Sequence, residues 1–128
     1  MKYLTAEQVL FIHSRIVAET GGSHGVRELG LLESAVGRPQ ATFDDKDLYR
    51  DPFTKAAALM LSLINNHPFV DGNKRTGVTA AGLFLRINGM KLAVSQEELE
   101  TCATRVALKQ IEIAELSDWL REHAVPVN

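Results

Sequence analysis

Two apolar segments separated by a short polar loop constrain the fold of this chain most strongly. Residues 56–64 read AAALMLSLI and are apolar on nearly every side of a helix, which is typical of a helix inside a protein core. Asp51 and Pro52 precede this segment as an N-cap and a first-turn proline. Residues 78–87 are again rich in apolar side chains. We therefore predict two buried helices, joined by the loop at residues 67–75, at the centre of the fold.

The rest of the chain also predicts helices. Capping signals and helical periodicity predict one helix behind Thr5, one over residues 28–36, one after Ser95 and one over residues 112–123. The helix at 28–36 should bury Leu29, Leu32 and Val36. Strand signals are almost absent, although residues 91–94 form too short a segment to classify. We predict an all-α fold, a compact helical bundle of about six helices with a buried central pair.

Residues 37–51 interrupt the helical pattern. This segment is polar, contains Pro39 and has no clear period, so we expect an exposed loop or a small hairpin. Exposed loops carry function more often than core segments do.

Composition excludes several classes of protein. A chain of 128 residues fits one domain, spanning 1–128. Its net charge of −2 indicates no basic patch, so we do not expect direct nucleic-acid binding. There is neither a signal-peptide apolar run nor a membrane-length one, which favours a cytoplasmic protein without a membrane partner. The single cysteine, Cys102, excludes an internal disulfide and weakens a zinc site; we expect it in the core.

The loop at residues 67–75, HPFVDGNKR, concentrates reactive side chains. His67 can take a proton near neutral pH, which suits a general base for a hydroxyl group. Asp71 is a hard carboxylate, and Mg²⁺ is usually held by one or two carboxylates together with substrate phosphates. Lys74 and Arg75 add positive charge, and arginine can grip a phosphate with two hydrogen bonds.

The second core helix begins within this loop, at Asn73 or Gly72. Its first backbone N–H groups therefore have no partner inside the helix and, with the helix dipole, make an anion site. Gly72 permits a positive φ or a close approach of a bound group. Phe69 should point into the core and anchor the loop. A base, a metal ligand, an anion site and cations together indicate phosphoryl or nucleotidyl transfer.

Each of these residues also has a purely structural explanation. His67 can end a helix, Asp71 can form a turn, Asn73 can cap a helix, and two cations can lie in solvent. Cations in a first helical turn oppose the helix dipole, however, so Lys74 and Arg75 indicate a bound anion. The remaining histidines lack the spacing of a metal site. Of these, His13 is expected on a helix surface or in a groove.

The loop closely resembles the signature of the Fic family, H-P-F-x-[DE]-G-N-[GK]-R, and the resemblance extends from the first helix to Leu92. It implies that His67 is the catalytic base, Asp71 the magnesium ligand and Arg75 the phosphate clamp. It further implies that Gly72, Asn73 and Lys74 form the anion hole through backbone and side chain. Residues 37–51 resemble the family's flap, which holds an extended target segment by strand-like pairing.

Two positions separate this chain from the adenylyltransferases of the family, which read G-N-G-R-x-x-R. Lys74 replaces the second glycine and Val78 replaces the second arginine. Both resemble the Doc branch, the toxins of type II toxin–antitoxin modules. This implies a kinase that uses Mg²⁺ and ATP to phosphorylate a Ser or Thr hydroxyl, with translation elongation factor Tu as the implied target. AMP transfer remains the alternative reaction.

The resemblance also implies a partner. Broad Fic proteins often carry a self-inhibitory helix of the form [ST]-x-x-x-E-[GN], which this sequence lacks. Inhibition would then come from a separate antitoxin whose amphipathic helix fills a groove, formed largely by the N-terminal helices. Two other classes remain to be distinguished. One is a non-catalytic binding module with a Fic fold, against which the intact His67 and Asp71 argue. The other is a nuclease toxin, but one carboxylate and one histidine are too few groups for a typical nuclease site.

Overall fold

The computed structural model describes residues 1–127, and it confirms the predicted all-α architecture. The described residues form six α-helices: α1 Ala6–Thr20, α2 Leu29–Gly37, α3 Pro52–Asn65, α4 Asn73–Ile87, α5 Gln96–Ala107 and α6 Ile113–Glu122. A short 3₁₀ helix, Arg38–Gln40, follows α2. Two small antiparallel strand pairs accompany them: β1 Thr42–Phe43 with β2 Lys46–Asp47, and β3 Met90–Leu92 with β4 Ala124–Pro126. The predicted domain runs one residue further, to Asn128, which lies outside the described residues.

Helices α3 and α4 are the buried centre of the fold, as the sequence predicts. α3 buries most of its length, and α4 buries Ala80, Ala81, Phe84 and Leu85 against it. The two helices approach closely at Gly77, where a Cβ atom would lie 2.7 Å from Ile64 Cγ1. Because one short loop joins the buried ends of this pair, the fold fixes that loop at both ends.

The helix starts follow local sequence signals. Thr5 accepts a hydrogen bond from the Gln8 N–H, and the Gln8 side chain accepts one from the Thr5 N–H, which completes the capping box of α1. Asp51 accepts hydrogen bonds from the N–H groups of Phe53 and Thr54 at the start of α3. Each of these caps satisfies backbone donors that would otherwise lack a partner.

Within the segment at residues 37–51, residues 42–47 form a hairpin. β1 and β2 are joined by Asp44 and Asp45, both with positive φ (54° and 61°), as a two-residue type I′ turn requires. Below the hairpin, Lys55 on α3 is 1% exposed, and its Nζ donates a 2.8 Å hydrogen bond to the Pro39 carbonyl. The same Nζ lies 3.4 Å from Asp47 Oδ2 on β2, so that one buried cation ties the flap to the central helix.

Three sequence-based expectations need correction or completion. Leu29 is 54% exposed rather than buried, because it lies at the open start of α2 and the buried face of that helix is formed by Leu32 and Ala35. His13 is buried, not on the surface. The unclassified segment near residue 91 is strand β3, paired with β4.

Across residues 1–127 no helix combines the length and the apolar character needed to cross a membrane.

Candidate active site

The loop between α3 and α4 is closed by the side chain of Asn73. Its Oδ1 accepts a 3.1 Å hydrogen bond from the Phe69 N–H, and its Nδ2 donates a 3.0 Å bond to the Phe69 carbonyl. Phe69 itself is 1% exposed and lies in the core. Oδ1 and one of the two Nδ2 hydrogens of Asn73 are thus bonded to Phe69, so this side chain chiefly closes the loop, while the Asn73 backbone N–H has no partner within α4.

His13, on α1, supports the same loop from below. Its ring stacks on the Phe69 ring with a centroid distance of 3.8 Å and an angle of 6°. Its Nε2 lies 2.7 Å from the Asp71 carbonyl oxygen, and since a carbonyl can only accept, Nε2 carries the proton and donates. The expectation of a histidine on the helix surface or in a groove is therefore wrong: His13 lies on the buried stripe of α1 between Val9 and Val17.

His67 lies just beyond the end of α3 and is exposed. Its backbone is left-handed, with φ 51°, which costs about 1–2 kcal/mol for a residue with a Cβ atom. The ring Nδ1 lies 3.1 Å from the Asn65 carbonyl oxygen, so Nδ1 donates and Nε2 holds the free lone pair of the neutral ring. This arrangement leaves one ring nitrogen able to accept a proton from a substrate.

Residues 22–28, which we call the strap, run alongside the loop. The side chain of Arg27 donates to the carbonyls of His67 (from Nε, 2.7 Å) and Asn66 (from Nη2, 2.8 Å). The backbone N–H groups of Arg27 and Glu28 both donate to the Pro68 carbonyl. An isolated β-bridge joins Val26 to Phe69, and the Val70 N–H donates to the Gly25 carbonyl. The strap therefore follows the loop along most of its length.

Asp71 is also in contact with the strap. Its Oδ2 accepts a 3.2 Å hydrogen bond from the Ser23 N–H, and a Cβ atom added to Gly22 would lie 3.1 Å from that oxygen. Asp71 is exposed, and residues 1–127 contain no group of three or more His, Cys, Asp or Glu side chains that could hold a metal ion. A lone exposed carboxylate suits Mg²⁺, which completes its coordination with water and substrate phosphates.

Gly72 is the N-cap of α4 and adopts the left-handed conformation, with φ 78° and ψ 18°. Among the described residues no side chain caps this helix, so the N–H groups of Asn73, Lys74 and Arg75 have no partner within it. Lys74 and Arg75 are exposed in a turn where the dipole disfavours cations. This end of α4 therefore has the charge and the donors of an anion site.

Arg75 and Lys74 also line a groove of about 750 Å³ between α1, α4, β3 and α5. Across this groove, Arg75 Nη2 lies 3.7 Å from Glu100 Oε1, and both side chains are more than half exposed. An exposed ion pair of this kind contributes less than about 1 kcal/mol, so Arg75 can exchange Glu100 for a phosphate.

Comparison with known proteins shows the family of this chain. Residues 3–85 match the Fic/DOC family. The chain belongs to the Fic/Doc family. It is 51% identical over 92 residues to Toxin Doc of Mycolicibacterium smegmatis, covering 72% of this chain and 68% of that protein. It is 31% identical over 121 residues to Protein kinase doc of Escherichia phage P1, covering 94% of each chain.

The Fic/Doc match includes the strap, the flap and the loop at residues 67–75, and it ends within α4. Sequence reasoning missed two supports of the site, Arg27 and His13. The spacing of His13 from Val9 and Val17, four residues each way, was a signal that it faces the core. Arg27 carried no such signal, because its partners lie 39 and 40 positions away.

Proposed function

We propose that this Fic/Doc protein is a toxin kinase. It transfers the γ-phosphoryl group of ATP to a Ser or Thr hydroxyl of a protein target and thereby arrests translation and growth. The observation that carries this proposal is the uncapped start of α4, where free N–H groups and two cations follow directly on His67 and Asp71. The names of the two relatives, Toxin Doc and Protein kinase doc, support the same activity.

His67 is the general base in this proposal. Its Nε2 takes the proton of the target hydroxyl while the hydroxyl oxygen forms a bond to the γ-phosphorus. The bond from that phosphorus to the β–γ bridging oxygen breaks, and ADP leaves. The hydrogen bond from Nδ1 to the Asn65 carbonyl supports this role, because it keeps the ring in one tautomer and stabilises the imidazolium that forms.

The phosphates would lie at the start of α4. They would be bound and oriented by the backbone N–H groups of Gly72 to Arg75 and by the side chains of Lys74 and Arg75. The charge-assisted hydrogen bonds from Arg75 would strengthen as negative charge develops on the phosphate oxygens during transfer. Asp71 would hold Mg²⁺, which neutralises phosphate charge when bound.

Lys74 and Val78 favour γ-phosphoryl transfer over AMP transfer. A lysine in place of glycine crowds the backbone cradle that adenylyltransferases of the family use, and valine cannot replace the second phosphate-binding arginine. Both residues line the same groove face of α4. AMP transfer is the alternative that the experiment below distinguishes.

The target would lie along the flap. Its hairpin is short and exposed, and Phe43 on β1 is 77% exposed, so an extended peptide can pair with its edge. We propose translation elongation factor Tu as that target, in the cytoplasm. We also propose that a cognate antitoxin inserts an amphipathic helix into the groove between α1, α4 and α5, where Ile16, Val78 and Leu99 supply apolar contacts.

The test combines purified protein, Mg²⁺, elongation factor Tu and ATP labelled in parallel at the γ or the α phosphate. We expect label from the γ position only, and none with His67→Ala or Asp71→Ala. Both variants should still bind the antitoxin, because neither residue lines the groove. Label from the α position would establish AMP transfer. No label on the factor or in whole-cell lysate, with a biological effect retained in both variants, would establish a binding module.

A further inference from the structure

Four consecutive carbonyl groups, from Asn65 at the end of α3 to Pro68 in the loop, are all hydrogen-bonded, and the strap supplies most of the donors. The Asn65 carbonyl accepts from the His67 ring. The next two carbonyls, of Asn66 and His67, accept from the Arg27 side chain. The fourth, of Pro68, accepts from the Arg27 and Glu28 N–H groups. Carbonyls at a helix end have no partner within the helix, and those of the following loop lie outside it, so Arg27 is the main group that satisfies these four.

We infer that Arg27 is a positioning residue of the active site: its guanidinium holds His67 in the orientation required for a base. The two donors of the guanidinium form a rigid fork that fixes the peptide groups on both sides of the His67 Cα atom. This matters because His67 has a left-handed backbone, which is unfavourable without such support. Without the fork, the Asn66 and His67 carbonyls can rotate toward water, and the ring loses its fixed relation to the start of α4.

The strap is also held to the loop by backbone hydrogen bonds, so the positioning role of the Arg27 side chain can be tested without unfolding the strap. The Arg27 and Glu28 N–H groups on Pro68, and the Val70 N–H on the Gly25 carbonyl, do not involve the Arg27 side chain. Arg27 is exposed, so shortening its side chain leaves no core cavity. A variant at this position should therefore keep the fold and the backbone contacts of the strap, while the two peptide groups that flank His67 lose their hydrogen bonds to the guanidinium.

The kinetic test rests on the proposed function and compares Arg27→Ala, Arg27→Lys and the control Arg15→Ala. Arg15 is an exposed arginine whose ion pair is with Glu19 on its own helix. We expect Arg27→Ala to lower kcat by about 10- to 100-fold, as small displacements of a reacting group do, with the KM for ATP changed less than about twofold. Arg27→Lys should recover only part of kcat, since an ammonium group lacks the planar fork. Added methylguanidinium should partly restore the kcat of Arg27→Ala and should not change that of the other variants.

A second measurement tests the positioning without any activity. In protein labelled with ¹⁵N at histidine, Arg27→Ala should shift and broaden the ring resonances of His67, and leave those of His13 unchanged. The control Arg15→Ala should change neither. An unaltered His67 spectrum in Arg27→Ala would overturn the inference, as would an unchanged kcat. If the wild-type protein transfers no label, the proposed function fails, whereas the His67 spectrum still decides whether Arg27 positions that ring.

Discussion

The side chain of Asn73 replaces a missing backbone partner for Phe69. Through hydrogen bonds of 3.1 and 3.0 Å it binds both the N–H and the carbonyl of Phe69, so that the first residue of α4 closes the loop that precedes it. All the candidate reactive residues of the loop lie within two positions of this closure. The geometry of the site therefore depends on a buried side chain whose hydrogen bonds go to the loop itself.

Replacement of Asn73 by alanine should open the loop. The Phe69 N–H and carbonyl would remain buried without partners, which costs about 1–3 kcal/mol for each unsatisfied group. We expect a clear fall in the free energy of unfolding, measured in urea, together with loss of transfer activity. Asn66→Ala is the matched control, because Asn66 is an exposed asparagine of the same connection. Equal stability of the two variants would contradict the structural role of Asn73.

The close approach of α3 and α4 should tolerate no side chain at Gly77. A Cβ atom there would lie 2.7 Å from Ile64 Cγ1, and overpacking of this kind costs about 1–3 kcal/mol. The gain in helix propensity from Gly to Ala offsets at most about 1 kcal/mol. Gly77→Ala should therefore lower Tm.

The same helix provides the control for Gly77. A Cβ atom on Gly82 would have no neighbour within 4 Å in the described part of the chain, so Gly82→Ala should raise the stability by up to about 1 kcal/mol through propensity alone. Thermal unfolding of both variants checks the pair. Similar shifts in Tm of the same sign would mean that helix propensity, and not packing against Ile64, decides the outcome at Gly77.

Asp51 should make the stability of the fold sensitive to acid. Burial raises the pKa of its carboxyl, but hydrogen bonds from Thr54, the Arg121 guanidinium and the Phe53 N–H outweigh this, so the pKa lies below its ordinary value of 3.8. A lowered pKa means that the stabilisation is complete above the ordinary value and is lost as the pH falls through the lowered one.

Two substitutions separate the charge of Asp51 from its cap. Asp51→Asn keeps an acceptor for the helix N–H groups but lacks the charge, so it should be less stable than wild type at pH 7, and this difference should shrink as the pH falls below the ordinary pKa of 3.8. Asp51→Ala removes the cap and should cost about 1 kcal/mol at neutral pH. Urea unfolding across this pH range measures both. Parallel pH profiles for wild type and Asp51→Asn would exclude the carboxylate as a source of the acid sensitivity.

Lys74 and Val78 should govern which phosphate is transferred. They lie four residues apart on α4 and line one groove, so the double variant Lys74→Gly, Val78→Arg rebuilds the adenylyltransferase pattern on this backbone. We expect it to transfer label from the α position of ATP, whereas the conservative single variant Lys74→Arg should retain γ transfer. Exclusive γ transfer by the double variant would show that other residues set the orientation of the nucleotide.

Local signals in the sequence predicted the helices and the reactive loop. Capping residues such as Thr5 and Asp51 act on N–H groups two or three positions away, so their effect is visible in a short window of sequence. The supports of the loop are long-range instead: His13 contacts a residue 58 positions later, and Arg27 contacts one 40 positions later. No local pattern encodes such a pairing. The strand pair β3–β4 was missed for the same reason, since its strands are three residues each and join distant segments.

The role of His67 is tested most directly by comparing ATP binding with phosphoryl transfer in His67→Ala. Equilibrium dissociation constants for ATP with Mg²⁺, and single-turnover transfer of γ label to elongation factor Tu, would be measured for wild type and variant. We expect an unchanged Kd, because the proposed phosphate site is the start of α4 and not His67, and a loss of transfer of at least about 100-fold, as for other general bases. Transfer by the variant at the wild-type rate would contradict the assignment of His67 as the base.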